Sequence, residues 1–295
     1  MIYSLILCGG SGSRLAPLST PETPKQFLKL FSEDTLFTET INRMYSVCDG
    51  IIIVSTENMK QLIDDNIKSN HKNIEIILES EPKNTGPAVA LGVEDLDDDD
   101  IVIMFPCDHY IVGAKYFYNS IQRAIDKAKQ DYIVCLSVEP TVASSEFGYV
   151  NGSHFVEKPD QTYAEILIDS GHEWNSGIYI FRVGFFRKLL LENSPDVFNN
   201  ANLKNYTKCP KISFDRMISE KTDKITNISG RFVWNDIGSF RGLYEVISGF
   251  NRLLETETRP WGNYKVLRDD DIYKMKELTV NANESISIQY HKHRT

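Results

Sequence analysis

The strongest constraint on the fold is a regular alternation between short apolar runs and segments with helical periodicity. Several of the runs are continuous stretches of Ile, Val and Leu, which is typical of strands covered on both faces. Strands that alternate with helices predict an α/β fold with a doubly wound, mostly parallel sheet. The predicted strands are Tyr3–Cys8, Ile51–Ser55, Ile74–Leu78, Ile101–Phe105, Tyr132–Val138 and Gly177–Phe181, and the predicted helices are Thr35–Val47, Glu57–Lys68, Pro87–Glu94 and Tyr116–Lys129.

This architecture also predicts where a ligand binds. In open α/β sheets, ligands occupy the crevice beyond the carboxyl ends of the strands. Glycine-rich or acidic segments follow two of the predicted strands, directly after Cys8 and after Phe105. We therefore expect the functional site at these strand ends.

The chain length is compatible with two domains or with one large domain and an appendage, because a domain takes about 150 residues. The composition changes near residue 256, where an acidic, Thr-rich segment precedes Pro260. Alternating patterns follow, including Ser285–Tyr290, and they predict β structure. We therefore expect a main domain over residues 1–255 and a short β-rich tail over residues 256–295, which is marginal as an independent domain.

Charge and composition exclude several classes of protein. The formal net charge of −9 argues against nucleic acid as a partner, because phosphate backbones require a basic face. No apolar run reaches the roughly 18–20 residues of a membrane span, and the N-terminal apolar stretch is too short for a signal peptide. Five cysteines without a CxxC pair are typical of reduced thiols in a cytoplasmic protein.

A glycine-rich loop follows the first predicted strand. Gly9, Gly10 and Gly12 allow backbone N–H groups to approach an anion closely, and Arg14 adds a forked cation suited to phosphate. The segment Gly9-Gly10-Ser11-Gly12-Ser13-Arg14-Leu15 matches neither the dinucleotide fingerprint nor the P-loop. A plain tight turn would explain two of the glycines, although it explains the immediate arginine less well.

Lys25 follows a proline that stiffens the backbone close to this loop. It is suited to a second phosphate contact, although a lysine at such a position is often a plain surface residue. Its nearness to the glycine loop favours the phosphate contact.

Two acids are candidates for a magnesium site. Asp108 follows a buried strand, and Asp236 lies in Trp234-Asn235-Asp236-Ile237-Gly238. Carboxylate oxygens are the ligands that Mg²⁺ prefers. His109, next to Asp108, is either a base, a ligand or a polar neighbour. A third acidic segment, residues 94–100, is better explained as a solvated loop than as a metal site.

Two further segments suggest contacts to a sugar phosphate. Glu157 and Lys158 precede a proline, and they suit a sugar hydroxyl and a phosphate, or else a salt-bridged surface turn. Asn175 enters an apolar strand and offers an amide for hydroxyl recognition.

The order of these motifs resembles the signature of the sugar nucleotidyltransferases, or sugar-nucleotide pyrophosphorylases, and within them the enzymes that use mannose 1-phosphate. The resemblance covers about residues 2–250. The segments that carry it are Leu7–Leu18, Pro24–Leu28, Glu81–Ala88, Phe105–His109, Phe147–Val150, Phe155–Asp160, Trp174–Gly177, Glu220–Thr222 and Trp234–Ser239.

The resemblance implies a Rossmann-like sheet of the nucleotide-diphospho-sugar transferase type and a role for each motif. It implies that Asp108 and Asp236 hold Mg²⁺, and that Arg14, Lys25 and Lys158 are catalytic with them. It implies that Gly9, Gly10, Ser11, Gly12, Ser13, Arg14, Lys25, Asn84 and Asp108 bind the nucleotide, and that Gly148, Glu157, Lys158 and Asn175 bind the sugar phosphate. The chain departs from the usual pattern at Ser13, Ala16, Lys83, Gly86 and Cys107, and of these Ala16 and Cys107 bear on the shape of the pocket.

The tail has a resemblance of its own. The segment from Arg259 to Arg294 resembles the beginning of the cupin domain of type II phosphomannose isomerases. His291 and His293 match the first pair of its metal ligands, but the later ligands do not occur in these 295 residues. We therefore expect no complete isomerase site in this sequence.

The implied reaction is the transfer of a guanylyl group from GTP to α-D-mannose 1-phosphate, which gives GDP-mannose, a nucleotide sugar for polysaccharide biosynthesis, and pyrophosphate. Two alternatives stay open: transfer to another hexose 1-phosphate or from another nucleoside triphosphate, and a non-catalytic regulatory subunit that binds a sugar nucleotide. The small-molecule substrates are the expected partners, with neither nucleic acid nor membrane. The sequence leaves the oligomeric state open, a homodimer included.

Overall fold

A computed structural model describes residues 1–10, 12–69, 71–247, 256–269 and 274–285. Within these residues the molecule is built on one large mixed sheet, with helices on both faces, and on two small sheets. The strands are β1 (Ile2–Cys8), β2 (Gly50–Thr56), β3 (Ile74–Glu79), β4 (Ile101–Pro106), β5 (Tyr110–Val112), β6 (Ile133–Val138), β7 (Tyr149–Asn151), β8 (His154–Val156), β9 (Glu173–Arg182), β10 (Ile225–Gly230), β11 (Val233–Asn235), β12 (Thr256–Arg259), β13 (Gly262–Asp269) and β14 (Lys274–Val280).

The main sheet confirms the predicted doubly wound arrangement. Its strand order is β10-β6-β9-β4-β1-β2-β3, and β7 and β8 extend it beside β9. Strands β4, β1, β2 and β3 are parallel to one another, and β10 is parallel to β6. The chain winds from β1 toward β3 on one side and continues with β4 on the other. The carboxyl ends of β1 and β4 therefore form the point where the strand order reverses, which is the usual ligand site of such sheets.

Strands β7, β8 and β10 of this sheet were not predicted, and strand β9 has an unexpected direction. It lies between β4 and β6 and is antiparallel to both. Its predicted core, residues 177–181, is confirmed, but the strand begins earlier, at Glu173. The earlier start brings Asn175 into the same sheet.

Eight α-helices lie in the described residues. They are α1 (Leu36–Tyr45), α2 (Lys60–Asn66), α3 (Thr85–Gly92), α4 (Ala114–Ala128), α5 (Gln161–Asp169), α6 (Val183–Asn193), α7 (Pro195–Asn200) and α8 (Phe240–Ile247). All but α8, which packs against Leu15 and Ile237, belong to the apolar clusters that lie against the sheet. The four predicted helices correspond to α1, α2, α3 and α4, and the other four were not predicted. Local capping sets some boundaries, because the Thr35 side chain accepts a hydrogen bond from Thr38 N and that of Asp160 from Tyr163 N.

The apolar core lies on both faces of the sheet. On one face, β1 and β4 pack against α3 and α6 through Leu5, Met104 and Phe186. On the other face, Ile6 and Ile53 pack against α1, and Ile103 packs against α4. Helix α3 is apolar on all sides because it is enclosed. Two covered faces explain why the strand sequences read as continuous apolar runs.

The acidic run has the structural role expected of a loop, with one exception. Asp98 forms an ion pair with Arg187 at 2.6 Å, and Asp99 is fully exposed. Asp100, in contrast, is buried and accepts the N-terminal ammonium group.

The described part of the tail is β-rich, as predicted. Strands β12, β13 and β14 form an antiparallel sheet, with a bulge between Val266 and Arg268. Residues 286–295 lie outside the described residues, so most of the predicted strand Ser285–Tyr290 and the pair His291 and His293 do too. The boundary at residue 256 stays a prediction. No helix in the described ranges is both long and apolar enough to cross a bilayer.

Candidate active site

A cavity of about 520 Å³ opens at the carboxyl ends of β1 and β4, where the strand order predicts a ligand. Most of the predicted site residues line it, although they come from widely separated segments. These are Gly9, Gly10, Asn84, Asp108, Gly148, Glu157, Lys158, Asn175 and Asp236. The structure thus brings the predicted nucleotide, metal and sugar-phosphate residues to one cavity.

The glycine loop forms one wall of the cavity. Gly9 and Gly10 are exposed, so their backbone is open to a ligand. The side-chain amide of Gln26 donates a hydrogen bond to the Gly10 carbonyl at 2.9 Å. Gly12 has a φ of +62°, and a Cβ added there would lie 2.5 Å from the Cβ of Lys25. Glycine is therefore required at position 12 both for its backbone conformation and for the close approach of the next segment.

Two loop residues, Ser13 and Arg14, differ from Gly9 and Gly10 in their position. Ser13 and Arg14 lie on an exposed 3₁₀ turn and are not among the residues that line the cavity. Ser11 lies outside the described residues. The nucleotide-binding roles of Ser11, Ser13 and Arg14 stay predictions, as do those of the other predicted residues, including Gly12, which does not line the cavity.

Lys25 is not a surface lysine. Its side chain is 7% exposed, and its Nζ donates to Asp108 Oδ2 at 2.6 Å and to the backbone oxygen of Asp236 at 2.6 Å. The ammonium group therefore already has two oxygen partners, both from residues of the predicted metal site. It is not directed to the cavity as a free phosphate-binding cation.

Asp108 and Asp236 both line the cavity, and Lys25 connects them. Burial raises the pKa of Asp108, but the nearby Lys25 ammonium and His109 outweigh it, so the pKa lies below its usual value. Asp108 is therefore ionised at neutral pH. Among the described residues, no group of three or more His, Cys, Asp or Glu side chains is arranged to hold a metal ion.

His109 is a buried polar neighbour of these acids. Burial lowers its pKa to about 4, although Asp108 and Asp236 act in the opposite direction. The indole N–H of Trp234 donates to its Nδ1 at 3.2 Å. The imidazole is therefore neutral at pH 7, and its proton is on Nε2.

The predicted sugar-phosphate residues lie on β9 and on the β7–β8 hairpin. Gly148 is buried, its carbonyl accepts from Asn175 N at 2.8 Å, and a Cβ added to it would lie 2.8 Å from Glu157 Oε2. Burial, followed by Asp215, raises the pKa of Glu157. Lys158 has its side chain 60% exposed, 3.3 Å from Glu157. Its ammonium is therefore much freer to move than that of Lys25.

A hydrogen-bond network behind these residues was not foreseen from the sequence. Asp215 Oδ1 accepts from the Tyr179 hydroxyl at 2.7 Å and from the Asn175 side-chain amide at 3.0 Å. The Asn175 amide also donates to the Tyr179 hydroxyl at 2.8 Å. This network orients Asn175 toward its neighbours on β9. Asp215 follows no strand end, so no spacing in the sequence pointed to it.

The wall near Asn84 contains two more cavity residues that the sequence analysis missed. Asn84 has a φ of +71°, and its side chain caps α3 by accepting from Thr85 N. Glu79 ends β3, is buried, and accepts a hydrogen bond from Tyr206. Burial raises its pKa. Glu79 could have been found by the rule that identified Asp108, since both stand at strand carboxyl ends, whereas Lys211, in a loop, had no such signal.

Comparisons with known proteins identify the family. A family model for nucleotidyl transferases matches residues 3–252, and a model described as the C-terminal part of mannose-6-phosphate isomerase matches residues 251–295. These matches confirm both resemblances that the motifs suggested.

Individual relatives are consistent with this family. The chain is 30% identical over 280 residues to a putative mannose-1-phosphate guanylyltransferase of Vibrio cholerae, covering 83% of this chain and 60% of that protein. The structure superposes on a protein of Thermus thermophilus described as a mannose-1-phosphate geranyltransferase, with a TM-score of 0.76 and 28% identity, covering 84% of this chain and 79% of the other. It also superposes on a mannose-6-phosphate isomerase of Helicobacter pylori, with a TM-score of 0.71 and 29% identity, covering 79% and 99%.

The chain spans about 60% of the length of the first curated relatives it matches. The similarity therefore extends over the nucleotidyl transferase region and the start of the isomerase-like region.

Proposed function

Because the chain belongs to the nucleotidyl transferase family, we propose that it transfers a guanylyl group from GTP to α-D-mannose 1-phosphate, forming GDP-mannose and pyrophosphate. The observation that carries this proposal is one cavity with the glycine loop and Asn84 on one side, and Glu157, Lys158 and Asn175 on the other. Asp108 and Asp236 line the same cavity. A cavity lined in this way suits two phosphorylated substrates, with the two acids at the place where their phosphates would meet.

The chemistry requires positioning more than proton transfer. A phosphate oxygen of the sugar phosphate attacks the α-phosphorus of the triphosphate in line, the new P–O bond forms, and pyrophosphate leaves. The nucleophile is already an anion, so no general base is needed. The neutral state of His109 agrees with this, since its low pKa makes it a poor base at pH 7. Catalysis then depends on alignment and charge stabilisation.

The donor set fits Mg²⁺. Asp108 and Asp236 supply carboxylate oxygens, and a cation, the Lys25 ammonium, already bridges these two residues. Magnesium sites often have only one or two carboxylates, because phosphates and water supply the other ligands. When bound, the ion would neutralise charge on the reacting phosphates.

The remaining residues are assigned by their position. The backbone of Gly9 and Gly10 would bind triphosphate oxygens, with Arg14 joining from the exposed turn next to them. The exposed ammonium of Lys158 would bind the phosphate of the sugar. Glu157 would accept hydrogen bonds from sugar hydroxyls, and Asn175 would donate to one in exchange for one of its two present acceptors, Asp215 or Tyr179.

We also propose a reducing, cytoplasmic environment for the protein. All five cysteines are free thiols, and four of them are buried. Cell fractionation with an antibody against the chain would test this location.

The proposal is tested by measuring pyrophosphate release from GTP and mannose 1-phosphate, with the other three common nucleoside triphosphates and other hexose 1-phosphates as comparisons. We expect Asp108→Asn and Asp236→Asn to lower kcat/KM about a thousandfold. Asp65→Asn, an exposed helical carboxylate, is the matched control and should be fully active. Near-full activity of both site variants would overturn the acid assignment, and binding without turnover would indicate a non-catalytic subunit.

A further inference from the structure

A lysine ammonium contacts both residues of the proposed metal site. Lys25 Nζ is 2.6 Å from Asp108 Oδ2 and 2.6 Å from the backbone oxygen of Asp236. These two oxygens are therefore no more than 5.2 Å apart, since both contact the same nitrogen. The ammonium is thus held between an ionised carboxylate and a backbone oxygen with a partial negative charge.

The backbone of Lys25 has little freedom to move. Its Cβ and N lie so close to Gly12 that an added Cβ there would be 2.5 Å and 2.9 Å away. The neighbouring Gln26 is tied to the Gly10 carbonyl. Only the end of the long side chain can change position, and the adjacent loop is the proposed triphosphate site.

The ammonium leaves its partners only when other anions replace them. A buried, unpaired charge is costly, so Lys25 stays with Asp108 and Asp236 while the cavity holds no anion. The phosphates of a nucleotide on the Gly9–Gly10 loop would supply such anions within reach of the same side chain.

We propose that Lys25 is an internal cation that neutralises the Asp108 carboxylate, beside the backbone oxygen of Asp236, until nucleotide phosphates draw its ammonium away, so that a divalent metal is bound only together with nucleotide. This inference rests on the proposed nucleotidyl transfer, and it assigns to Lys25 a positioning role that precedes the reaction. The order in which nucleotide and metal bind follows because the Lys25 side chain contacts first Asp108 and then the nucleotide phosphates.

Electrostatic repulsion also supports the proposal that the Lys25 ammonium keeps a divalent ion away from Asp108. A divalent ion contacts carboxylate oxygens at about 2.1 Å, so at Asp108 Oδ2 it would lie within about 5 Å of the Lys25 nitrogen. Two cations at that distance in a partly buried site repel each other strongly. Removing the ammonium leaves Asp108 without its partner and favours the metal.

The test measures Mn²⁺ binding by electron paramagnetic resonance to the full chain without nucleotide. We expect Lys25→Met to bind Mn²⁺ about tenfold more tightly than the unchanged protein. Lys25→Gln keeps a polar side chain of similar length, and it should show the same increase if Lys25→Met folds poorly. Asp108→Asn introduced together with Lys25→Gln should abolish the gain, because it removes the carboxylate.

Lys158→Met is the matched control, since it removes another lysine from the same cavity, one that is mostly exposed. It should leave Mn²⁺ affinity unchanged. Unchanged or weaker Mn²⁺ binding in the Lys25 variants overturns the proposal, and so does an equal gain in Lys158→Met. The assay contains neither GTP nor mannose 1-phosphate, so a different substrate preference in the turnover assay would leave this result intact.

Discussion

The two sides of the cavity are built in different ways. On the nucleotide side, Gly10 and Gly12 pack closely against the Lys25–Gln26 segment, the backbone of Gly9 and Gly10 faces the cavity, and Lys25 is buried and paired. On the sugar side, Gly148, Glu157, Asn175 and Asp215 come from four segments that only the folded chain brings together. The first side depends on backbone geometry, and the second depends on a network of side chains.

This difference also separates the two lysines. Lys25 is 7% exposed and has two oxygen partners at 2.6 Å, whereas Lys158 is 60% exposed with one partner at 3.3 Å. Residue type alone suggested the same phosphate-binding role for both. Their surroundings show that only Lys158 is available in the ligand-free protein.

The largest effect on stability is expected from a methyl group in the glycine loop. Gly12→Ala places a Cβ 2.5 Å from Lys25 Cβ at a positive φ, so we expect a loss of roughly 3–4 kcal/mol of unfolding free energy. Urea unfolding measures it. Gly10→Ala is the matched change, because nothing lies within 4 Å of the added Cβ, and its stability should change by less than about 1 kcal/mol. Equal losses would show that the nucleotide side is not held by this close packing.

A slightly smaller effect is expected from the pH dependence of His109, which lies between the two sides. Its pKa in the folded protein is about 4, below the unfolded value of about 6.5. The neutral ring therefore contributes stability above pH 6.5, and this contribution is lost as the pH falls toward 4. The loss is roughly 3 kcal/mol by pH 4.

Urea unfolding of the unchanged protein and of His109→Gln between pH 7.5 and 4 isolates this contribution. The difference between the two proteins should decrease as the pH falls. His71→Gln is the control, because His71 is only partly buried; burial lowers its pKa too, so its pH dependence should have the same sign but be smaller. A difference that does not change with pH would contradict the assignment of a buried neutral imidazole.

The smallest effect is expected behind the sugar side. Asp215→Ala removes the acceptor of two hydrogen bonds, so the Asn175 amide loses one of its two acceptors. We expect the KM for mannose 1-phosphate to rise about tenfold while the KM for GTP stays within about twofold. Steady-state kinetics with each substrate varied separately measures the split. Tyr179→Phe removes only the hydroxyl and should give a smaller rise, and an equal rise in both KM values would show that the network supports the whole cavity.

Much of the fold was predictable because both faces of the sheet are covered. Burial on both sides forces continuous apolar runs, so all six predicted strands are confirmed with small shifts at their ends. Helices α5, α6, α7 and α8 were missed, since their patterns are short or interrupted. The antiparallel direction of β9 could not be predicted, because the side chains of a strand alternate between the two faces of the sheet in either direction.

The site was predictable where a strand end or a glycine cluster marked it. Asp108 and the loop after Cys8 were found in this way, and Glu79 could have been. Asp215, Gln26 and Lys211 could not, because their positions depend on contacts between distant segments.

The sequence by itself determined the sheet-and-helix architecture, the strand ends at which the site lies, and the family, because apolar periodicity and the order of short motifs are local properties. Only the tertiary structure decided that Lys25 is buried between Asp108 and Asp236, that His109 is neutral, and that Asp215 holds Asn175. Burial and charge pairing arise between residues far apart in the chain. They set which ionisable group is free to act, and this information is absent from any single segment.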